Sequence, residues 1–286
     1  MGRFSDILLV TDFDATLTGR DRRIPQANVD AVERFMAEDG LFTIATGRSR
    51  PMFDHSSRDI RVNAPHILSN GSAVYDYATR SWIFWEDLPE DADAVMADLV
   101  ARFPDVFGEV QTKDEHYGFN GDPAHDDWMQ RIGVLIRRLP LAEIPRPWLK
   151  LRFLIQQNER KPGPAPIVRE MPEELVRRID AMKTHVESAY GDRYRVERPS
   201  ALSIEVMRAG THKGLTARRL ALALGRKTLV CVGDALNDLS MLQEADVAFV
   251  TGDAEPAMYG YGFRVAAPCG EGAVASVIDA LGAARP

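Results

Sequence analysis

Several short apolar runs in this chain end in polar residues. Ile7-Leu8-Leu9-Val10 runs into Asp12 and Asp14, "LFTIAT" (41–46) into Gly47-Arg48, and "TLVCVGD" (228–234) into Asn237-Asp238. Short, continuously apolar runs of this kind suit strands buried on both faces. Amphipathic segments lie between them. "IPQANVDAVERFMAEDG" puts Val29, Val32, Phe35 and Met36 on one helical face, with Gly40 placed to end the helix. "KGLTARRLALALG", "NDLSMLQEA" and "AVASVIDALGAA" read as further helices, "HILSN" (66–70) and "VAFV" (247–250) as further strands. Strands alternating with helices predict a parallel α/β sheet with right-handed crossovers. An open parallel sheet binds ligands at the carboxyl ends of its strands, and that is where the polar residues fall.

The middle of the chain differs. From about Trp82 to Arg208 the sequence is richer in aromatics and reads as hairpins. "SWIFWE", "VFGEVQT", "WLKLRFLIQ", "YRVERPS" and "ALSIEVMR" predict strands; "DADAVMADLVARF" and "PEELVRRIDAMKTHVESAY" predict helices. "ERKPGPAP" (159–166) reads as a surface loop. An α+β domain inserted into the α/β domain accounts for this pattern.

A chain of 286 residues, 45% hydrophobic and 27% charged, has room for a large core and one or two domains. A formal net charge of −7 argues against a nucleic-acid partner. Two cysteines, Cys231 and Cys269, give no disulfide framework or zinc cluster. The opening "MGRFSD" lacks the apolar segment of a signal peptide. No apolar run approaches the ~18 residues that cross a bilayer, so no membrane partner and a cytoplasmic location are expected.

The predicted sheet brings Asp12, Asp14, Asp234 and Asp238 to one edge, with Lys213 opening the helix before "TLVCV". Two carboxylates ~4 Å apart repel by about 4 kcal/mol at an effective dielectric of 20. One lysine cannot neutralise four acids, so either protons or a divalent cation must sit among them. Mg²⁺ suits a site of few carboxylates that keeps positions for water or phosphate oxygens. A calcium loop starting at Asp12 fails, because its sixth and twelfth positions hold Leu17 and Arg23 instead of Gly and Glu. No Walker loop occurs, and "CGEGAV" (269–274) is not a dinucleotide fingerprint.

Each piece alone has an ordinary reading as a turn, a helix cap or a surface lysine. Together, "DFDATLT" (12–18), "TGR" (46–48), the lysine of "GTHKG" and "GDALND" (233–238) resemble the four motifs of the haloacid dehalogenase superfamily of phosphohydrolases. "SNGS" (69–72), "VMRAGTHKG" and the ending "ADVAFVTGDAEPAM…GEGAVASVI" resemble its Cof-type branch, which carries a large α/β cap. The resemblance covers about 4–85 and 200–286. It implies a Rossmann-like parallel-sheet core, 1–84 and 200–286, with an inserted α+β cap domain, 85–199, that selects the substrate.

The resemblance also implies roles. Asp12 is the nucleophile that forms an aspartyl-phosphate, and Asp14 the general acid and then base. Mg²⁺ is held by Asp12, the backbone carbonyl of Asp14, and Asp234, with Asn237 and Asp238 orienting that shell and Lys213. Thr46, Gly47 and Lys213 bind the phosphate, assisted by backbone N–H groups after Asp12; Arg48 and Asn70 are candidate substrate contacts. The implied activity is Mg²⁺-dependent hydrolysis of a small phosphate ester: a sugar phosphate, a nucleotide or a phosphorylated cofactor. The same Asp-x-Asp serves phosphomutases such as the phosphomannomutases, and a non-catalytic phosphate- or metal-binding protein is the reading from outside enzymology.

Two departures stand out. Ala15 replaces the family's usual glycine, so an ordinary backbone angle is expected there; Asp253 stands where the branch often has asparagine. Candidate contacts in the insertion are His116, Tyr117, His125 and Trp128, with Lys150 and Arg152 adding positive charge. Each has a bland alternative, Trp128 as core above all.

Overall fold

The computed structural model describes residues 2–56, 60–121, 123–155 and 172–284; the loop "ERKPGPAP" (159–166) lies outside the described residues. In chain order come β1 (Ile7–Thr11), α1 (Gln26–Ala37), β2 (Leu41–Ile44), α2 (Arg50–Asp54), β3 (His66–Leu68), β4 (Ala73–Asp76) and β5 (Ser81–Trp85). Then follow α3 (Ala92–Arg102), β6 (Phe107–Thr112), β7 (His116–Phe119), α4 (Pro123–Arg131), β8 (Ile136–Arg137), β9 (Trp148–Leu154), α5 (Glu173–Tyr190), β10 (Tyr194–Ser200) and β11 (Ser203–Arg208). The chain ends with α6 (Lys213–Ala223), β12 (Thr228–Gly233), α7 (Leu239–Glu244), β13 (Val247–Val250), β14 (Arg264–Val265) and α8 (Ala273–Ala283). Two compact units result: Met1–Gly47, Ser57–Phe84 and His212–Pro286 form one; Arg48–Ser56 and Trp85–Thr211 form the other.

The first unit is a parallel sheet of order β14-β13-β12-β1-β2, with a three-stranded sheet β3-β4-β5. β1 lies between β12 and β2 and is buried throughout, which explains its unbroken apolar run. Leu8 and Val10 pack with Ala217, Leu220 and Ala221 of α6 and Met241 and Leu242 of α7. Thr11 is level with Ile44 of β2 and Val232 of β12. The residues that leave these three strands therefore emerge along one edge. α1 ends through Asp39, not Gly40. Asp39 takes the left-handed conformation (φ 66°), while Gly40 donates its N–H to the Phe35 carbonyl at 3.0 Å. The glycine is needed for packing: a Cβ at Gly40 would lie 2.4 Å from the Phe35 ring.

The second unit is a six-stranded sheet of order β10-β11-β9-β6-β7-β8, antiparallel except for β7–β8. Alternation divides its faces. Val110, Leu151, Phe153, Ile204 and Val206 pack on one side with Val95, Met96 and Leu99 of α3 and Ile179, Met182 and Val186 of α5. Their neighbours in sequence, Glu109, Gln111, Lys150, Arg152 and Glu205, therefore belong to the opposite face. This unit extends to Thr211, beyond the expected boundary at 199, because β11 pairs with β9 and β10. It also takes residues 48–56 from the first segment of the chain.

β1 leaves into a tight turn, and there the expectation for Ala15 fails. Ala15 has φ 57° and ψ 18°, the left-handed region. The turn holds it there. Leu17 N–H donates to the Asp12 carbonyl at 3.3 Å, Thr18 N–H to the Phe13 carbonyl at 3.0 Å, and Ala15 N–H to Thr18 Oγ1 at 3.3 Å. An L-residue with a Cβ in this region costs about 1–2 kcal/mol, and the greater freedom of glycine in the unfolded chain offsets part of that. Ala15→Gly should therefore raise unfolding free energy by about 0.5–1 kcal/mol in urea titration; a loss of stability would contradict the strained turn.

Candidate active site

At the carboxyl edge of the parallel sheet, Asp12 follows β1 and donates its N–H to the Val232 carbonyl at 2.9 Å. Its side chain is buried, whereas that of Asp14 is exposed. The two acids of the motif thus differ in environment, as an extended residue followed by a turn requires. Lys213, the first residue of α6, is fully buried. Its Nζ donates to Asp12 Oδ1 at 2.6 Å and to Asp238 Oδ1 at 2.7 Å. Burial alone would lower the Lys213 ammonium; the Asp12 and Asp238 carboxylates more than reverse this and hold it above its ordinary value.

Asp238 uses its other oxygen on the backbone. Oδ2 accepts from Asp234 N–H at 3.1 Å and Ala235 N–H at 3.4 Å. This closes the turn after β12 and sets the direction of Asp234. Gly233 makes room for it, since a Cβ there would lie 2.6 Å from the Asp238 Cβ. Asp234 Oδ1 accepts from Thr16 Oγ1 at 2.9 Å, which ties the β12 turn to the β1 turn. Asn237 lies half-buried in the same turn.

Oxygens of Asp12, Asp234 and Asp238 lie within 4.8 Å of one another. Burial first, then the Asp238 and Asp14 carboxylates, push Asp12 up to about 7 against the pull of Lys213. Burial, then Asp12 and Asp238, push Asp234 up to about 8. A single ammonium leaves this cluster short of positive charge. Its donors are all carboxylate oxygens, which fits a hard divalent cation such as Mg²⁺. Asp238 already has both oxygens engaged, so Asp12 and Asp234 are the side chains placed to hold an ion.

The β2 exit adds the next pieces. Thr46 is buried; its N–H donates to the Ile67 carbonyl at 2.9 Å, and its carbonyl accepts from Asn70 N–H at 3.0 Å. A Cβ on Gly47 would lie 2.6 Å from Asn70 Oδ1, so Asn70 packs directly on the Thr46-Gly47 segment. Ser69, Asn70 and Gly71 all have positive φ, at 50°, 56° and 99°. Gly71 permits the closest approach of this turn to α6: a Cβ there would lie 2.5 Å from the His212 carbonyl carbon and 2.8 Å from Lys213 N. The Gly71 carbonyl accepts from Thr216 Oγ1 at 2.8 Å. The turn thus braces the start of the helix that carries Lys213.

Asp12, Asp234, Asp238, Thr46, Gly47 and Asn70, at strand exits, and Lys213, at the start of α6, therefore all belong to the first unit. Arg48 does not. It falls in the second unit and donates to Ser56 Oγ. Asp253 serves structure at the β13 exit, accepting from Cys269 N–H at 2.9 Å and pairing with Arg20 at 3.2 Å. Cys231 is a fully buried strand residue. In the second unit, Tyr117 is core, packed with Val110 and Leu151. Trp128 packs on the cluster of Phe107, Met129 and Ile136, and the His125 ring lies 4.2 Å from that of Phe107. Lys150 pairs with Glu205 at 2.7 Å and Arg152 with Glu109 at 3.3 Å, so neither is a bare positive charge. Thr16 is the functional side chain that the reading of the sequence passed over. The hydroxyl within "DFDATLT" was its only signal.

The family model of the haloacid dehalogenase-like hydrolases matches residues 9–136 and 156–278. The chain belongs to this family, in its Cof-type branch, and is a phosphatase. It is 24% identical over 265 residues to the HMP-PP phosphatase of Shigella flexneri serotype 5b (strain 8401), covering 87% of this chain and 85% of that protein. It is 25% identical over 265 residues to the HMP-PP phosphatase of Escherichia coli O157:H7, with the same coverage of 87% and 85%. Its fold is similar to a haloacid dehalogenase-like hydrolase from Bacteroides thetaiotaomicron (TM-score 0.77, 18% identity, 96% of this chain and 98% of that one). It is also similar to a HAD subclass IIB sugar phosphatase (TM-score 0.75, 18% identity, 96% and 98%). Among the described residues, no helix is long and apolar enough to cross a membrane.

The acidic cluster makes stability depend on pH and cation together. Without a cation, Asp12 and Asp234 keep protons that the unfolded chain sheds near the ordinary value of 3.8. The metal-free fold therefore loses stability as pH rises from 3.8 toward about 7 and 8, where the folded groups too have shed their protons. A bound divalent cation replaces those protons. The rise in melting temperature on adding saturating Mg²⁺ should be larger at pH 8 than at pH 6 in a thermal-shift titration. An equal or larger rise at pH 6 would contradict this picture of the cluster.

Proposed function

We propose that this protein is a Mg²⁺-dependent phosphatase that hydrolyses a small phosphorylated metabolite through an aspartyl-phosphate on Asp12. The observation that carries the reading is the buried Lys213 ammonium bridging Asp12 and Asp238, at 2.6 and 2.7 Å, beside Asp234 at the carboxyl edge of the sheet. Lys213 fixes the orientation of the Asp12 carboxylate and supplies positive charge where the phosphoryl group must approach. Asp12 attacks phosphorus; the new oxygen–phosphorus bond forms as the bond to the leaving alcohol oxygen breaks. Asp14, exposed beside the buried Asp12, gives the leaving oxygen its proton. It then takes a proton from the water that attacks the acyl phosphate, which releases orthophosphate and restores the Asp12 carboxylate. Thr46, the Gly47 backbone and Lys213 hold the phosphoryl oxygens through both steps. Asp12, Asp234 and the Asp14 backbone carbonyl hold Mg²⁺, which when bound offsets the clustered carboxylates and the phosphoryl charge. Asn237 and Asp238 orient this group.

The residues 85–211 select the alcohol. Relatives that align over most of this chain bear phosphatase names, which supports hydrolysis over transfer of the phosphoryl group within a sugar. Their name, HMP-PP phosphatase, supports HMP-PP as the first substrate to try, with sugar phosphates second. Orthophosphate release should require Mg²⁺ and stop with EDTA. Asp12→Asn should lower kcat by roughly 10³-fold or more against any substrate that turns over, in a variant that circular dichroism shows to be folded. Turnover that survives Asp12→Asn would refute the nucleophile assignment.

A further inference from the structure

The first unit contains a buried hydroxyl whose bond does more than the fold requires. Thr16 is fully buried, and its Oγ1 donates to Asp234 Oδ1 at 2.9 Å. The two strand exits that carry these residues are already joined by the Asp12 N–H, which donates to the Val232 carbonyl at 2.9 Å. The Asp234 backbone is held separately, by its N–H on Asp238 Oδ2 at 3.1 Å. What the Thr16 hydroxyl adds is control of the carboxylate itself. A threonine hydroxyl has one proton to give, and its β-branched side chain is stiff about χ1. The turn that holds Ala15 in the left-handed region also holds Thr16, through Leu17 N–H on the Asp12 carbonyl at 3.3 Å and Thr18 N–H on the Phe13 carbonyl at 3.0 Å. The donor is therefore rigid, and it fixes one particular oxygen of Asp234.

Lys213 treats Asp12 in the same way. Its Nζ takes Asp12 Oδ1 at 2.6 Å. Each of the two carboxylates placed to hold an ion thus has Oδ1 engaged by a buried donor, which leaves Oδ2 as the better ligand. Ligation through a single oxygen of each acid matters because hard cations differ in what they ask of a carboxylate. Ca²⁺ gathers roughly six to eight oxygens at longer distances and often takes both oxygens of one carboxylate, whereas Mg²⁺ demands a compact octahedron and needs only one or two carboxylates. A donor that keeps the second oxygen occupied works against the Ca²⁺ mode and leaves the Mg²⁺ mode intact. Thr16, Asp234, Asp12 and Lys213 all lie in the first unit.

We propose that Thr16 is a positioning residue that restricts Asp234 to one ligating oxygen and thereby sets the preference of the site for Mg²⁺ over Ca²⁺. The proposal rests on the reading above in which Asp12 and Asp234 hold the cation. Hydrogen-bond partners of a ligating carboxylate orient it and tune the affinity of the site. Without the hydroxyl, the Asp234 carboxylate is free to rotate and to present both oxygens. Mg²⁺ then loses a preorganised ligand, and Ca²⁺ gains a chelating one.

The test titrates the full chain, stripped of metal with EDTA and dialysed, with Mg²⁺ and separately with Ca²⁺ in a calorimeter at one fixed pH. Thr16→Val has nearly the same shape without the hydroxyl. It should weaken Mg²⁺ binding by roughly tenfold and Ca²⁺ binding by no more than roughly twofold, so that the ratio of the Ca²⁺ Kd to the Mg²⁺ Kd falls by roughly fivefold or more. Thr16→Ser keeps the hydroxyl and should keep the wild-type ratio. Thr16→Ala decides the matter if circular dichroism shows that Thr16→Val does not fold. An unchanged ratio in a folded variant without the hydroxyl overturns the proposal and leaves the cation site standing. So does Thr16→Ser with the ratio of Thr16→Val. Wild type that turns over substrate without any divalent cation overturns the Mg²⁺ requirement alone, and the titrations still decide the role of Thr16. Wild type that does not bind Mg²⁺ overturns both.

Discussion

The site is organised around one buried ammonium. Lys213 meets Asp12 and Asp238 with no solvent to share the load, and two carboxylates around one lysine leave an excess of negative charge even before Asp234 is counted. A charge pair taken out of water is stable only when its geometry and its remaining hydrogen bonds are good. Here they are. Asp238 is completed by two backbone N–H groups, and the residual negative charge is concentrated on Asp12 and Asp234, the side chains whose carboxyls are pushed up furthest. The residual negative charge on clustered carboxylate oxygens fits a hard cation.

Much of the surrounding backbone serves that ammonium. Lys213 is the first residue of α6, so the helix start must come close to the strand ends. Gly71 lets the β3–β4 turn touch the backbone of His212 and Lys213, and Gly214 lets α6 approach the Ser240 carbonyl to within the space a Cβ would fill. Gly233 lets Asp238 fold back over the end of β12. Positive φ at Ala15, Ser69 and Asn70 falls in the same loops. Backbone strain of this kind persists where the surroundings fix it, and it gathers at functional sites.

The parallel sheet was legible because β1 is buried throughout, β2 and β12 nearly so, and their runs are largely apolar. The clustering of Asp12, Asp234, Asp238 and Lys213 was legible because a parallel sheet delivers strand ends to one edge, so position along the sequence predicts proximity in space. β7, α4 and β8 were not. "HYGF" is short, and the acid-rich "PAHDDWMQR" has little apolar periodicity, so neither signals its element. Ala15 shows the limit of local preference: hydrogen bonds within the turn override the angle that alanine favours. Tyr117 and Ser49 show another limit. The first is core and the second meets His116, and both facts depend on pairings between distant strands that no local pattern encodes.

The most direct test of the account is to quench the enzyme with acid during steady turnover and map the phosphorylated peptide by mass spectrometry. The account predicts one phosphoryl group on the peptide that contains Asp12, located on Asp12 itself and absent when Mg²⁺ is withheld. Turnover with no phosphoryl group on Asp12, or with the label on another residue, would contradict it.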